Sequence, residues 1–378
     1  MKRIEKSKLD ELICARTEAF IAEGKIGCAE ILVNQCGKRV FHRTFGKDTA
    51  SGEKLKPGKI YRAASMTKPI TAAAFLKMSE EYGVQLEAPF ACFLPEYRCM
   101  NIGHVEKGKV IVDRPAFNPL FVYQLLCHVN GIGVDPFCGI VFPQWKSTQD
   151  TCSFYASQPL AFEPGTKQSY SPTAAFDVAA AILERQTGCG FAEYVRENVT
   201  APLSMHNTTF SPTREQWKDI VGMHDRLPDG RSTTGKTTEG CVFSDIPPEA
   251  CAAGAGLATT AEDYIRFAEM LLNNGIDENG KRILSENSVK LIQTPHVPVE
   301  IMNGSQRWGL GVRVITSAHY AHHLPVGSYG WSGAYGTHFW VDPENRITAV
   351  YMKNSLFDGG SGSCSSACFE EDVMDSLK

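Results

Sequence analysis

The sequence lacks several features that would assign it to a common class of protein. Its net charge of −4 over 378 residues gives no excess of positive charge, which argues against binding to nucleic acid or to an anionic membrane. No apolar run is long enough to span a membrane, and the first residues lack the apolar stretch and cleavage site of a signal peptide. Apolar residues make up 43% and charged residues 21%, as in an ordinary globular enzyme. We therefore expect a small-molecule partner, with no nucleic acid and no membrane.

Motifs for metal binding and for two common kinds of catalytic site are missing or incomplete. No C-x-x-C or H-E-x-x-H occurs, so nothing completes a metal site around His319, His322 and His323, and we predict no metal or other cofactor. Residues 230–237 fit the phosphate-binding pattern G-x-x-x-x-G-K-[ST]. They have no buried strand before them and no helical period after them, so we interpret them as a polar turn or hairpin. The absence of G-x-S-x-G argues against an α/β-hydrolase.

The chain contains 13 cysteines, an odd number scattered between Cys14 and Cys368. Such a distribution is not typical of a disulfide framework in a chain of this length. We therefore predict a reducing, cytoplasmic environment.

The stretch 63–70, with the sequence AASMTKPI, carries the clearest chemical signal. It predicts the start of a buried helix, on which Ser65 and Lys68 would share one face. Serine becomes a nucleophile when a base takes its proton, and a lysine surrounded by apolar groups can have a pKa low enough to act as that base. The free N–H groups at the start of a helix also favour developing negative charge.

A second match to S-x-x-K, formed by Ser51 and Lys54, shows that the motif alone is weak. Ser51 lies in a polar loop where nothing would desolvate its lysine, whereas Ser65 begins an apolar helix. Two interpretations of Ser65 stay open on local grounds: a nucleophile, or a serine that caps the helix beside a solvated lysine.

The order of the predicted elements indicates an α+β fold. A helix over 9–23 is followed by a hairpin with strands over 28–34 and 39–45, and later helices are predicted over 173–185, 260–272 and 286–292. Strands over 310–316, 330–341 and 346–352 precede a last helix over 368–377. The first and last parts would therefore share one sheet. We predict an α/β domain of residues 1–75 and 240–378, an inserted mainly helical domain of residues 76–239, and a site at the seam between them.

Two further segments have an unusual composition. Tyr170 follows a Pro-Gly turn and stands shortly before a helix, where it would act either as a helix-capping tyrosine or, beside an ammonium, as a proton shuttle for a Ser–Lys pair. Residues 330–336, GWSGAYG, are too rich in glycine for a plain strand. They predict backbone that a ligand approaches closely, or else a strand with bulges.

Taken in order, these segments resemble the landmarks of class C β-lactamase-related serine hydrolases, and most of all family VIII carboxylesterases and related acyltransferases. The landmarks are SMTK at 65–68, Tyr170 after FEPG at 162–165, GAGL at 254–257, TAEDY at 260–264, and WSG at 331–333 before FWVDP at 339–343. The likeness extends from Glu30 to Asn354, which is most of the chain. It implies a β-lactamase/transpeptidase-like fold, with an antiparallel sheet flanked by terminal helices and an all-helical domain.

The resemblance also implies roles for individual residues. Ser65 would be the acylated nucleophile, Lys68 its basic partner and Tyr170 the proton shuttle. The backbone N–H groups of Ser65 and Ala334 would form the oxyanion hole. The residues that would contact substrate are Trp331, Ser332, Gly333 and Tyr335.

Two positions depart from the β-lactamase pattern. Pro172 stands at the third position of the Tyr-x-Asn motif and supplies no side-chain amide. Trp331 stands where β-lactamases have the lysine of Lys-Thr-Gly, so the motif supplies no cation for a β-lactam carboxylate. Both departures recur among the esterases of this group, and we therefore expect uncharged esters to be better substrates than β-lactams.

We predict a serine carboxylesterase that cleaves esters of short or medium acyl chains through an acyl-enzyme on Ser65. Its partner would be a small-molecule ester or amide. The alternatives are an acyltransferase, a weak β-lactamase or a D-alanyl peptidase on the same fold, and a non-catalytic binding or sensor protein. The intact set of Ser65, Lys68 and Tyr170 argues against the non-catalytic alternative.

Overall fold

The computed structural model describes residues 1–49, 51–135, 137, 147–226, 232–233, 251–318, 323–355, 358 and 360–378. The phosphate-loop pattern at 230–237 lies outside these residues except for 232–233, and so do His319 and His322. Within the described ranges, no helix is both long and apolar enough to cross a membrane. In the same ranges, His, Cys, Asp and Glu side chains form no group of three or more that could hold a metal ion.

The sheet of the protein is built from the two ends of the chain. The described residues form thirteen strands: β1 (Cys28–Gln35), β2 (Lys38–Gly46), β3 (Ile60–Arg62), β4 (Asn101–Glu106), β5 (Lys109–Pro115), β6 (Asp225–Arg226), β7 (Ser232–Thr233), β8 (Ala258–Thr260), β9 (Gln306–Trp308), β10 (Arg313–Ile315), β11 (Tyr329–Ser332), β12 (His338–Asp342) and β13 (Ile347–Met352). Seven of them form one antiparallel sheet in the order β2-β1-β13-β12-β11-β10-β9. Leu32 of β1 lies opposite Val350 of β13, which joins the N-terminal hairpin to the C-terminal strands. The prediction that the first and last parts share one sheet is confirmed.

Most of the helices lie between these two groups of strands. The described residues form ten α-helices: α1 (Lys6–Ala22), α2 (Thr67–Tyr82), α3 (Val122–Leu126), α4 (Thr148–Ala156), α5 (Ala174–Thr187), α6 (Phe191–Val195), α7 (Arg214–Lys218), α8 (Ala261–Leu272), α9 (Glu286–Gln293) and α10 (Cys364–Asp375). The predicted helices over 9–23, 173–185, 260–272, 286–292 and 368–377 correspond to α1, α5, α8, α9 and α10.

The sheet separates two apolar layers because successive side chains of a strand point to opposite faces. On one face, α1 and α10 pack against residues such as Ile31 and Tyr351. On the other face, Leu32 and Val350 belong to the main core, which includes α2, α5 and α8. Helix α2 contacts α5, and the turn before α2 contacts β11 of the sheet, so the start of α2 lies between the sheet and the helices. The domain boundaries 1–75, 76–239 and 240–378 remain a prediction.

Two predicted elements and one region without a predicted element differ from the structure. Residues 330–341 form two strands, β11 and β12, because a turn at 333–337 is closed by a hydrogen bond from the Gly333 N–H to the Thr337 carbonyl (2.7 Å). Residues 310–316 contribute only the short β10, and β9 precedes it. The region 84–113, where no regular element was predicted, contains β4 and the start of β5. All of β5 is exposed, so burial imposes no alternation of apolar residues that would mark it as a strand.

Candidate active site

Ser65 lies just before α2, in a short 3₁₀-helical turn over Ala64–Met66. Ala64 has a φ of 47°, a left-handed conformation that costs an alanine free energy and is common at functional sites. Thr67 Oγ1 donates to the Ala64 carbonyl (2.7 Å) and so holds this turn. Among residues 61–76, Ser65 alone is not fully buried. The fold therefore leaves Ser65 partly exposed while it buries its neighbours.

Lys68 is fully buried beside Ser65. Its Nζ lies 3.4 Å from Ser65 Oγ and donates to the main-chain carbonyls of Pro172 (2.5 Å) and Gly254 (2.8 Å). These carbonyl oxygens satisfy an ammonium that burial has removed from water. Position 172 therefore provides Lys68 with a hydrogen-bond acceptor through its backbone, although it has no side-chain amide.

Tyr170 Oη lies 2.6 Å from Ser65 Oγ, the distance of a strong hydrogen bond between oxygens. The Tyr170 ring lies 4.9 Å from Lys68 Nζ and packs against Trp308 and Trp331, with centroid distances of 5.9 and 5.6 Å. The structure thus brings together the three side chains that the sequence predicts as the catalytic set. In this arrangement a proton can pass directly between the two oxygens, beside a cation that favours negative charge on either of them.

His128 holds Tyr170 in place, and the sequence analysis missed it. Its carbonyl accepts a hydrogen bond from the Ser169 N–H (3.1 Å), and its Nδ1 accepts one from the Ser171 N–H (3.1 Å), so it binds both neighbours of Tyr170. Burial lowers the pKa of His128 well below its usual value, and the ring is therefore neutral with its proton on Nε2. No local motif marks this histidine, because its role depends on a loop distant in sequence.

The turn at 333–337 brings a second backbone segment next to Ser65. Ala334 packs against the small apolar cluster that contains Ala64, and Thr337 Oγ1 donates to the Ala63 carbonyl (3.0 Å). A Cβ on Gly333 would lie 2.3 Å from the Ala63 carbonyl oxygen, so a larger residue would force the two segments apart. Atoms of the protein itself therefore approach Gly333 closely, and the approach of a ligand to this glycine-rich segment remains a prediction.

Of the four residues predicted to contact substrate, one is partly exposed and three are buried. The partly exposed residue is Trp331, and the buried ones are Ser332, Gly333 and Tyr335. Ser332 Oγ lies 2.8 Å from His338 Nδ1, and His338 Nε2 lies 2.9 Å from Glu370 Oε1 on α10. Contact of the four residues with substrate remains a prediction.

A cation that was not predicted lies beside Trp331. The guanidinium carbon of Arg313 is 5.2 Å from the Trp331 ring centroid and 5.4 Å from that of Trp308. Its Nη1 donates to Gln306 Oε1 (3.0 Å), while its Nε has no hydrogen-bond partner among the residues that the structure describes. Arg313 reaches this place because it pairs with Gly330 across β10 and β11. The motif at 331–333 supplies no cation, but the neighbouring strand does.

Asp177 on α5 is a buried carboxyl that supports the site of Lys68. Its Oδ1 accepts a hydrogen bond from the Ala253 N–H (2.8 Å), and the carbonyl of the next residue, Gly254, accepts from Lys68. Burial raises the pKa of Asp177 to about 7, although the hydrogen bond from Ala253 and the charge of Lys68 oppose this rise. Asp177 therefore acts on Lys68 through the loop that it holds.

The competing pair, Ser51 and Lys54, has different surroundings. Both residues are exposed, and Ser51 Oγ is hydrogen-bonded to Asp48 Oδ2 (3.0 Å). Local composition predicted that Ser51 and Lys54 lie in an exposed loop, whereas Ser65 and Lys68 lie at the start of an apolar helix. The structure shows this contrast.

The sequence is similar to those of known proteins over most of its length. The β-lactamase family profile matches residues 9–363. The chain is 26% identical over 384 residues to Esterase EstB of Burkholderia gladioli, which covers 93% of this chain and 92% of that protein. It is 28% identical over 331 residues to Protein Rv1367c of Mycobacterium tuberculosis, which covers 81% of this chain and 80% of that protein.

A solved structure with the same fold is EstCE1, described as a hydrolase with promiscuous acyltransferase activity. The TM-score is 0.80 at 21% sequence identity, and the likeness covers 98% of this chain and 99% of that one. The fold is therefore the β-lactamase/transpeptidase-like fold, and the resemblance to this group of hydrolases is confirmed. The chain belongs to the β-lactamase family.

Proposed function

We propose that the protein is a serine carboxylesterase that cleaves esters of short or medium acyl chains through an acyl-enzyme on Ser65. The observation that carries the proposal is the position of Ser65 Oγ, 2.6 Å from Tyr170 Oη and 3.4 Å from Lys68 Nζ. Acyl transfer needs a nucleophile, a group that takes its proton and a charge that stabilises the product of that transfer. The relationship to Esterase EstB supports the same chemistry.

In the first step, Tyr170 acts as a phenolate that the Lys68 ammonium stabilises. Ser65 Oγ attacks the ester carbonyl carbon while its proton moves to the phenolate oxygen. The carbonyl oxygen becomes an oxyanion that accepts hydrogen bonds from the N–H groups of Ser65 and Ala334. Tyr170 then gives the proton to the departing alkoxide, which leaves as an alcohol. In the second step, water loses a proton to the Tyr170 phenolate and attacks the acyl carbon. Tyr170 then returns that proton to Ser65 Oγ as the bond between Oγ and the acyl carbon breaks and the acid leaves.

Acyl transfer to an alcohol is a second candidate, favoured by the likeness to EstCE1 and its promiscuous acyltransferase activity. An alcohol would replace water in the second step, and the same residues would act in both reactions. Adding methanol during ester turnover and measuring the ratio of methyl ester to free acid distinguishes the two activities.

The two S-x-x-K serines provide the main test of the proposal. Ser65→Ala should abolish hydrolysis of p-nitrophenyl esters, because it removes the attacking oxygen, while Ser51→Ala should leave it nearly unchanged. Mass spectrometry after treatment with a fluorophosphonate should find the adduct on the peptide that contains Ser65. An adduct on another peptide would refute the assignment, and a protein that neither reacts with the probe nor hydrolyses esters would be a binding protein.

A further inference from the structure

The segment after β13 connects the two backbone segments of the proposed oxyanion hole. The Arg62 N–H donates to Asn354 Oδ1, and Asn354 Nδ2 donates to the Arg62 carbonyl, each at 3.3 Å, which ties the segment to the strand that leads to the nucleophile. The N–H of Ser355 donates to the Tyr335 carbonyl (2.8 Å) in the turn at 333–337. Neighbouring residues of one segment therefore bind both the strand that leads to Ser65 and the turn that contains Ala334.

Lys353 begins this segment and lies directly beneath the turn. Gly336, in the turn, has a φ of 82°, and a Cβ added to it would lie 2.0 Å from Lys353 Cε and 2.7 Å from Lys353 Nζ. The backbone of the turn thus rests on the lysine side chain with no space for a methyl group. Because Lys353 is fully buried, its side chain cannot move aside into solvent.

The ammonium of Lys353 is anchored at the start of α10. It contacts Asp358 Oδ2 and donates to Ser363 Oγ (3.2 Å) and Ser365 Oγ (2.9 Å). Ser363 is also the N-cap of α10, where its side chain accepts a hydrogen bond from the Ser366 N–H. A buried charge held by several oxygen atoms keeps one position, since any displacement would leave it both desolvated and unpaired.

We propose that Lys353 is a positioning residue for the oxyanion hole, a role that rests on the proposed esterase function. Lys353 fixes the turn at 333–337 from beneath and so sets the position of the Ala334 N–H relative to the Ser65 N–H. The oxyanion exists in the transition state and not in the bound ester. Displacement of the turn therefore lowers kcat and leaves KM nearly unchanged.

The test compares Lys353→Met with Arg16→Met. Methionine has a similar length but carries no charge and donates no hydrogen bond. Arg16 of α1 pairs with Asp372 (3.0 Å) and Glu371 (2.7 Å) of α10, so its substitution removes a different charged link to the same helix. We expect Lys353→Met to lower kcat for a p-nitrophenyl ester about tenfold to a hundredfold, with KM changed by less than about twofold. Arg16→Met should keep kcat within about twofold of wild type.

A second readout is specific for the oxyanion hole. A thiocarbonyl sulfur accepts hydrogen bonds less well than a carbonyl oxygen, so the wild-type preference for an ester over the matching thionoester measures the strength of the hole. Lys353→Met should reduce that preference about tenfold. If this variant does not fold, Ser365→Ala, which removes one of the partners of the ammonium that the structure describes, should shift the preference in the same direction by a smaller amount.

The outcomes separate the two proposals. Two results would overturn the role of Lys353 and leave the proposed esterase function intact. One is an active Lys353→Met or Ser365→Ala variant whose preference for ester over thionoester is unchanged, and the other is an equal loss of kcat in Arg16→Met. A wild-type protein without esterase or acyltransferase activity would overturn the proposed function, and this role with it.

Discussion

The carbonyl oxygen of Pro172 lies 2.5 Å from Lys68 Nζ. The third position of the Tyr-x-Asn motif therefore contacts the catalytic lysine of the proposed mechanism through its main chain. Together with the Gly254 carbonyl at 2.8 Å, this contact holds the ammonium within reach of both Ser65 and Tyr170. A backbone acceptor is present whatever side chain stands at position 172.

This contact predicts that Pro172→Ala retains activity. The carbonyl remains in the alanine variant, so kcat for a p-nitrophenyl ester should stay within about threefold of wild type. Lys68→Met, which removes the ammonium, should lower kcat on the order of a hundredfold or more. Steady-state kinetics on both variants tests the comparison, and an equally large loss in Pro172→Ala would show that the carbonyl alone does not explain the position of Lys68.

Tyr170→Phe should lower kcat on the order of a hundredfold or more with little change in KM, because it removes the hydroxyl that exchanges a proton with Ser65 and keeps the packed ring. The matched control is Tyr97→Phe, since Tyr97 is also buried and its hydroxyl donates to the Cys152 carbonyl (2.9 Å). This control should keep its kcat. If Tyr170→Phe kept most of the wild-type kcat across neutral pH, Tyr170 would have a structural role only.

Arg313 predicts how the enzyme treats substrates that carry a carboxylate. Trp331 is partly exposed and offers apolar area, while its indole N–H is buried without a hydrogen-bond partner among the described residues. We therefore expect a larger kcat/KM for uncharged esters than for cephalosporins or peptides ending in D-alanine. Arg313→Met should lower kcat/KM for the carboxylate-bearing substrates at least about tenfold more than for neutral esters, because it removes a cation that lies 5.2 Å from the Trp331 ring centroid.

Trp331→Lys provides the complementary change. It should reduce the difference in kcat/KM between uncharged esters and carboxylate-bearing substrates, mainly by lowering kcat/KM for esters, because a lysine replaces apolar contact area with charge. The measurement is kcat/KM for all three classes on both variants and wild type. Equal effects of Arg313→Met on charged and neutral substrates would mean that Arg313 does not face the substrate.

Asp177 predicts a pH dependence of stability. Burial raises the pKa of its carboxyl from 3.8 to about 7 in the folded protein, so between these values the folded state holds a proton that the unfolded state has lost. Its contribution to the free energy of unfolding is therefore present at low pH and is lost as the pH rises toward 7. The asparagine side chain in Asp177→Asn does not titrate. The free energy of unfolding of this variant, relative to that of wild type, should therefore increase from pH 4.5 to pH 7.5 by on the order of 1–3 kcal/mol. Urea denaturation of both proteins at both pH values measures this difference. If the free energy of unfolding changed with pH by the same amount in the two proteins, the prediction would be contradicted.

The sequence by itself determined the features that depend on neighbours along the chain. Ser65 and Lys68 lie on one side of a helical turn because their spacing alone places them there. The start of α8 follows from Thr260, whose side chain accepts a hydrogen bond from the Asp263 N–H (3.1 Å), and α5 ends at Gly188, which has a φ of 70°. These local interactions need no knowledge of the rest of the fold. For Tyr170, its own surroundings in the sequence left two interpretations open, and the family resemblance associated it with this pair.

Only the tertiary structure decided which distant groups surround the candidate site. His128, Arg313 and Lys353 have no motif, and each reaches its place through strand register or a loop contact between remote parts of the chain. Lys68 is held by main-chain carbonyls, which every residue carries, so the sequence does not indicate which of them will accept its hydrogen bonds. The surroundings of the nucleophile were therefore set by the packing of the sheet against the helices, because that packing determines which backbone and side-chain atoms come within hydrogen-bonding distance.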